Sequence, residues 1–242
     1  LWTQPINDDP NLRAVMYGPL VLAALGGSPR LRVNPATPVL SGDPQNPSAW
    51  LRPVEGRPLR FKAGDTEFIP LHEVTNEIYS VYLRFAPPGS FEEAAWRKAQ
   101  VDDQRLTARM VDFVNFGDEK DETAHALKQD KTELWHWQFV RVLMPGGWVS
   151  SRLKVAPGVR TLVVAYDLSK SAGDYEVTVD GAKVQARVAP QSAAGDHGDI
   201  EVLYDLPAAL LGPKREVTVR VALVERTGCR EGHVYSLAML RD

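Results

Sequence analysis

Six residues in one short stretch carry side chains able to do chemistry: Asp112, Asp118, Glu119, Asp121, Glu122 and His125. Glu122 and His125 could work as an acid/base pair. Glycoside hydrolysis, however, normally needs two carboxylates opposed across the bond, and this segment shows no such arrangement. A hydrogen-bonded pair that pins a loop is the simpler reading. The five carboxylates are also hard oxygen donors of the kind calcium takes, yet their spacing matches no EF-hand. A solvated acidic loop is therefore preferred, with a structural calcium as the alternative. A second group is aromatic. Trp135 and Trp137 fall on one face of a strand and His136 on the other, and Trp148 follows Gly146-Gly147. Exposed, these side chains would stack on sugar rings; buried, they would be core, which apolar burial favours. The one cysteine, Cys229, stands four residues before His233 in a turn-like segment. A nucleophile needs a base held within hydrogen-bond reach, and a Gly-bearing loop does not fix one. No residue is assigned to catalysis, and no metal ligand set or cofactor is expected.

The elements that must position these residues are strands. Val149, Ser151, Leu153 and Val155 alternate with Ser150, Arg152 and Lys154, the period of a half-buried strand. Thr161 to Tyr166 is a continuous apolar run of the kind found in strands covered on both faces. Asp180-Gly181 is a two-residue hairpin signal between the alternating runs that start at Tyr175 and Val184. Further strands are predicted at Met110 to Phe116, Trp135 to Val142, Ile200 to Leu206, Glu216 to Val224 and His233 to Leu240. With short turns and no internal helix, this predicts a jelly-roll sandwich over residues 107–242, galactose-binding-like.

Residues 1–86 predict a first, N-terminally incomplete sandwich. Its strands are Leu12 to Tyr17 and Leu20 to Ala23 around Gly18-Pro19, Leu59 to Lys62, Glu67 to Leu71, and Ile78 to Phe85. The proline-dense stretch 26–58 should run over the surface. Ala86-Pro87-Pro88-Gly89 begins a linker, residues 87–106. There Ser90 and Glu93 form a capping box that opens a helix, with Phe91, Ala94, Ala95 and Trp96 as a thin apolar stripe for docking. The fold class is all-β: two antiparallel sandwiches joined by a short helical linker.

Composition narrows the partners. The 242 residues are 44% hydrophobic and 24% charged, with a net charge of -3, the composition of a globular protein. That balance gives no reason to expect nucleic acid or an anionic membrane as partner. A single cysteine excludes an internal disulfide. The chain opens Leu1-Trp2-Thr3, without initiator Met or signal peptide, and is expected to be a piece of a longer protein.

Four motifs then carry a resemblance. Tyr17-Gly18-Pro19-Leu20-Val21-Leu22-Ala23, Pro70-Leu71-His72-Glu73 followed by Tyr79-Ser80-Val81-Tyr82, Val111-Asp112-Phe113-Val114 with Gly117, Glu122 and His125, and Gly146-Gly147-Trp148 before Leu153-Lys154-Val155 occur in one order. In that order they resemble the C-terminal sandwiches of the β-L-arabinofuranosidase-like glycoside hydrolases, family 127 and its relatives. The resemblance implies an upstream (α/α)6 barrel, which in that family holds a catalytic cysteine and a zinc on Cys and Glu. Nothing in this chain supplies that cluster. Val149 and Ser151 replace the larger aromatics common there. The expected function is a non-catalytic accessory region that supports such a barrel. An autonomous carbohydrate-binding module, through Trp135, His136, Trp137 and Trp148, is the alternative, and an active hydrolase the third reading. The expected partners are the chain's own barrel domain and an oligo- or polysaccharide, in a periplasmic or secreted setting rather than a cytoplasmic one.

Overall fold

The structure is a computed structural model that describes residues 1–26, 39–135, 140–167, 174–187, 199–225 and 230–242. The fold is all-β, as the sequence predicts, and the chain divides into two compact units. One holds the described residues up to Arg105 and the other those from Leu106 on.

The first unit contains β1 (Trp2–Pro5), β2 (Leu12–Tyr17), β3 (Leu20–Leu25), β4 (Val39–Ser41), β5 (Arg52–Pro53), β6 (Phe61–Ala63), β7 (Thr66–Pro70), β8 (Tyr79–Ser80) and β9 (Tyr82–Ala86). They pair in the order β4-β9-β2-β3-β7-β6-β5, with β1 on β2 and β8 on β3. Only β4 with β9 is parallel among the described pairs. The β2–β3 hairpin turns at Gly18-Pro19, where Gly18 takes φ 55°, a conformation open to glycine without steric cost. The stretch Ile78 to Phe85 is two strands rather than the expected one. Its first part pairs with β3 and its second with β2, so the chain changes partner at Val81. Val15, Leu22, Phe68, Leu83 and Phe85 form the core of this unit. The expected surface course of 26–58 is interrupted by β4 and β5, and residues 27–38 lie outside the described residues.

The helix α1 (Phe91–Arg109) begins where the capping box places it. Ser90 Oγ accepts from the Glu93 N–H at 3.1 Å, while the Glu93 carboxylate reaches back to the Gly89 N–H at 2.6 Å. Its faces are not those expected. Phe91, Ala94 and Ala95 are exposed, Phe91 by 90%; the Trp96 side chain lies outside the described ones, among which the buried positions of the helix are the acids Glu93 and Asp103. Arg97 donates to Ser41 Oγ and to Glu93, and Ser41 donates to Glu93. Those bonds hold the Glu93 carboxyl at about 2, the Ser41 hydroxyl contributing most. Polar bonds tie the start of the helix to β4.

The second unit contains β10 (Met110–Asn115), β11 (Lys128–Trp135), β12 (Val140–Lys154), β13 (Val159–Asp167), β14 (Tyr175–Val179), β15 (Ala182–Lys183), β16 (Asp199–Asp205), β17 (Glu216–Leu223) and β18 (Gly232–Arg241). The long strand β12 joins its two layers. Arg141 to Leu143 pair with β18, and Trp148 to Lys154 pair with β17. A strand that switches sheets needs a corner. Here it is Pro145-Gly146-Gly147. Gly146 has φ 75°, and a Cβ on Gly147 would lie 2.4 Å from the Lys131 carbonyl oxygen. Opposite, the β11 register slips between Asp130 and Thr132, a bulge that lets the pair bend.

β17, β14 and β15 extend one layer; β18, β13, β16 and β10 form the other. Between them Phe116, Leu153, Leu162, Tyr166, Val177, Val219 and Leu237 form a continuous core. β13 is buried on both faces, as its apolar run predicts: Leu162 and Val164 join that core, and Val163 and Ala165 pack on the other side. The β14–β15 hairpin turns through Asp180 (φ 49°) and Gly181 (φ 82°), the left-handed pair of a type I′ turn. The unit is not free of helix, contrary to expectation. The acidic loop contains α2 (Glu119–Ala124), and α3 (Ala208–Leu211) follows Pro207. Asp118 caps α2 by accepting from the N–H groups of Lys120 and Asp121, so a side chain replaces the missing helical acceptor.

Candidate functional site

Two constellations in the second unit gather the chemistry-bearing residues. The first lies around α2. Glu122 and His125 do not meet; each holds a different partner. Glu122 turns inward and is 4% exposed. Its Oε1 accepts from the Gly117 N–H at 2.9 Å and from Arg141 Nε at 2.7 Å, and its Oε2 accepts from Arg141 Nη2 at 2.5 Å. This is a bidentate, charge-assisted pair. Arg141 spends its remaining arm on Gln129 Oε1 at 2.9 Å. Arg141 shares a face of the sheet with Val234, a core residue, so the ion pair caps the core.

His125 faces the other way. Its Nε2 donates to Asp112 Oδ1 at 3.3 Å, and its Nδ1 donates to the Asp121 carbonyl at 2.7 Å. Both ring nitrogens meet acceptors, so the arrangement suits the doubly protonated imidazolium. Asp112 accordingly raises His125 above its ordinary value, against the effect of burial. Burial pushes the Asp112 carboxyl up, but His125 and the Lys154 N–H outweigh it and bring it below the usual range. Asp121 accepts from the Asn115 backbone and side-chain amides. Asp118 caps the helix, and Glu119 is exposed. The acids thus disperse to separate partners, and among the described residues no three His, Cys, Asp or Glu side chains converge to hold a metal ion.

The second constellation runs across four strands. Glu133, Val142, His233 and Asp167 stand in register on β11, β12, β18 and β13. Trp135, two residues along from Glu133, is partly buried, packs with Val140 and Tyr235, and meets the His233 ring edge-on at 5.2 Å. His233 is 1% exposed. Its Nε2 lies 3.1 Å from Glu231 Oε1, while its Nδ1 finds no hydrogen-bond partner among the described residues, Asp167 Oδ2 being 3.8 Å away. Trp148 stands apart, half-buried on the outer face of β12 with the Arg220 guanidinium 4.3 Å above its ring. His136, Trp137 and Cys229 lie outside the described residues.

Sequence reasoning did not find Arg141, Gln129 or Asp167. Arg141 had left a signal: an arginine between Val140 and Val142 in a buried strand needs an internal carboxylate.

Residues 105–240, more than half of the chain, match the model of a family described as a family of unknown function, DUF6805. The chain belongs to the DUF6805 family. Both constellations fall within its matched span. No curated protein matches the chain. Among solved structures, a family GH115 4-O-methyl-α-glucuronidase with specificity for decorated arabinogalactans aligns at TM-score 0.41 and 9% identity, over 55% of this chain and 18% of that one. The DUF6805 chain therefore spans less than a fifth of that enzyme.

Proposed function

We propose that this chain is a non-catalytic accessory β-sandwich region of a glycoside hydrolase, and that it buttresses a separate catalytic domain of the same protein. The observation that carries this reading is the locked state of Glu122. The carboxylate best spaced for acid/base work is held by Arg141 and the Gly117 N–H on the core side of the sheet, and a buried, bidentate carboxylate is not available to protonate a substrate. The four ordered motifs that resemble the β-L-arabinofuranosidase-like hydrolases support the same reading. The partners are then the catalytic domain and its oligo- or polysaccharide, in a periplasmic or secreted setting. No cofactor enters this reading, and the acidic residues around α2 serve as caps and pins.

An autonomous carbohydrate-binding module is the second reading. The partly exposed Trp135 and Trp148 favour it, since exposed indoles stack on sugar rings. Titration of the chain with arabinan, galactan and xylan, beside an assay on aryl glycosides, separates the readings. The accessory role predicts no turnover and no binding at Trp135 or Trp148 tighter than millimolar.

A further inference from the structure

The first unit carries a groove that neither constellation uses. It has a volume of about 710 Å³, and its walls include Tyr17, Leu51, Phe61 and the arginines Arg52, Arg57 and Arg60. The arginines come from the hairpin of β5 and β6, whose loop is internally bonded. The Val54 N–H donates to the Arg60 carbonyl at 2.9 Å, Arg57 to Val54 at 3.2 Å, and Arg60 to Arg57 at 3.3 Å. Leu59 in this loop is held at φ 59°, a left-handed conformation that costs a side-chain-bearing residue about 1 kcal/mol. Such strain persists where the surroundings over-determine it and gathers at binding sites.

The groove's charge is one-sided. Among the described residues, every charged side chain lining it is an arginine, in a chain of net charge -3. Arg60 is paired with Glu73 at 2.7 Å. Among the described residues, Arg57, 67% exposed, has Glu67 only at 3.8 Å, and Arg52 reaches only the Ser48 carbonyl at 3.5 Å. Two guanidinium forks are therefore left with weak partners beside an exposed ring. Tyr17 is 42% exposed and leans on Phe61 at 5.5 Å between centroids. A guanidinium fork matches a carboxylate bidentately, and an aromatic face packs against the C–H face of a sugar ring.

We propose that this groove binds an acidic saccharide: the carboxylate of a uronic acid unit is taken by Arg52 and Arg57, and its ring packs on Tyr17. The inference rests on the carbohydrate reading above and adds the ligand class.

The test is calorimetric titration of the full chain with an oligogalacturonate, with a neutral oligogalactoside of equal length, and with inorganic phosphate. The acidic oligosaccharide should bind at least about tenfold tighter than either comparator, because charged hydrogen bonds separate it from the neutral chain and ring packing from the bare anion. Binding should weaken as salt is raised. Arg57→Gln, at an exposed position, should lower affinity several-fold without moving the melting temperature, and Arg52→Gln with Arg57→Gln should lower it about tenfold or more. No binding of oligogalacturonate, equal binding of the neutral chain or of phosphate, or undiminished binding in Arg57→Gln overturns the proposal. Neutral oligosaccharide binding that the arginine variants leave intact would refute the groove while keeping the carbohydrate reading.

Discussion

Arg141 grips Glu122 with two hydrogen bonds, Nε to Oε1 at 2.7 Å and Nη2 to Oε2 at 2.5 Å, and both side chains are more than nine-tenths buried. Removing one partner of such a pair strands a buried charge, at a cost of about 3–5 kcal/mol. Arg141→Met should therefore lose about that much in a urea unfolding experiment. The double variant Glu122→Leu with Arg141→Met should recover most of the loss, because no charge is left unpaired. A single-variant loss near zero would show that the pair does not hold the sandwich closed.

The neighbouring pair predicts a pH dependence. His125 titrates higher folded than unfolded, so its stabilisation is complete below the ordinary imidazole value of 6.5 and is lost as pH rises through the folded value. Asp112 titrates lower folded than unfolded, so its contribution is present above 3.8 and is lost as pH falls through the folded value. The pair stabilises most between those limits. The stability difference between the parent chain and His125→Asn should be larger at pH 5.5 than at pH 9, read by chemical unfolding at each pH. An equal difference at both would remove the charged imidazolium from the account.

These two pairs also show what a sequence can and cannot yield. The Ser90–Glu93 cap, the Asp180-Gly181 turn and the doubly buried run of β13 are written in neighbouring residues, and each is local physics. Glu122 and Arg141, nineteen residues apart, are joined only because β10, which leads into α2, and the first part of β12 both pair with β18. The three-residue spacing of Glu122 and His125 suggested a pair, but α2 sends the two side chains to opposite partners. Likewise, the apolar residues of α1 suggested a docking face, whereas the bonds from Ser41 and Gly89 draw Glu93 inward instead.

Trp135 and Trp148 should respond differently to truncation. Trp135 packs in a cluster with Val140 and Tyr235 and against His233, so Trp135→Ala should cost about 2–3 kcal/mol. Trp148 is half-buried on an outer face beneath Arg220, where a cation–π contact contributes about 0.5–1 kcal/mol. Trp148→Ala should lose about 1 kcal/mol. Equal losses measured by denaturant unfolding would mean that the two environments have been misjudged.

Gly147 is the corner of β12. A Cβ there would meet the Lys131 carbonyl oxygen at 2.4 Å and the Met144 carbonyl oxygen at 2.8 Å. Both are backbone atoms and cannot swing aside. Gly147→Ala should cost about 2 kcal/mol or more by forcing β11 away from the bend of β12. Gly181→Ala would strain a turn but meet nothing nearby, and should cost about 1 kcal/mol. A thermal melt of both variants orders them, and the reverse order would contradict the corner.

As the accessory region proposed above, this chain should carry no hydrolytic chemistry of its own. That is tested most directly by assaying the purified full chain against aryl α- and β-glycosides, arabinofuranosides included, with and without added zinc. Turnover no greater than the buffer blank is expected under every condition. Turnover that survives repurification and disappears in Asp112→Asn or His125→Asn, with the fold intact by circular dichroism, would contradict it and make the Asp112–His125 pair an active site.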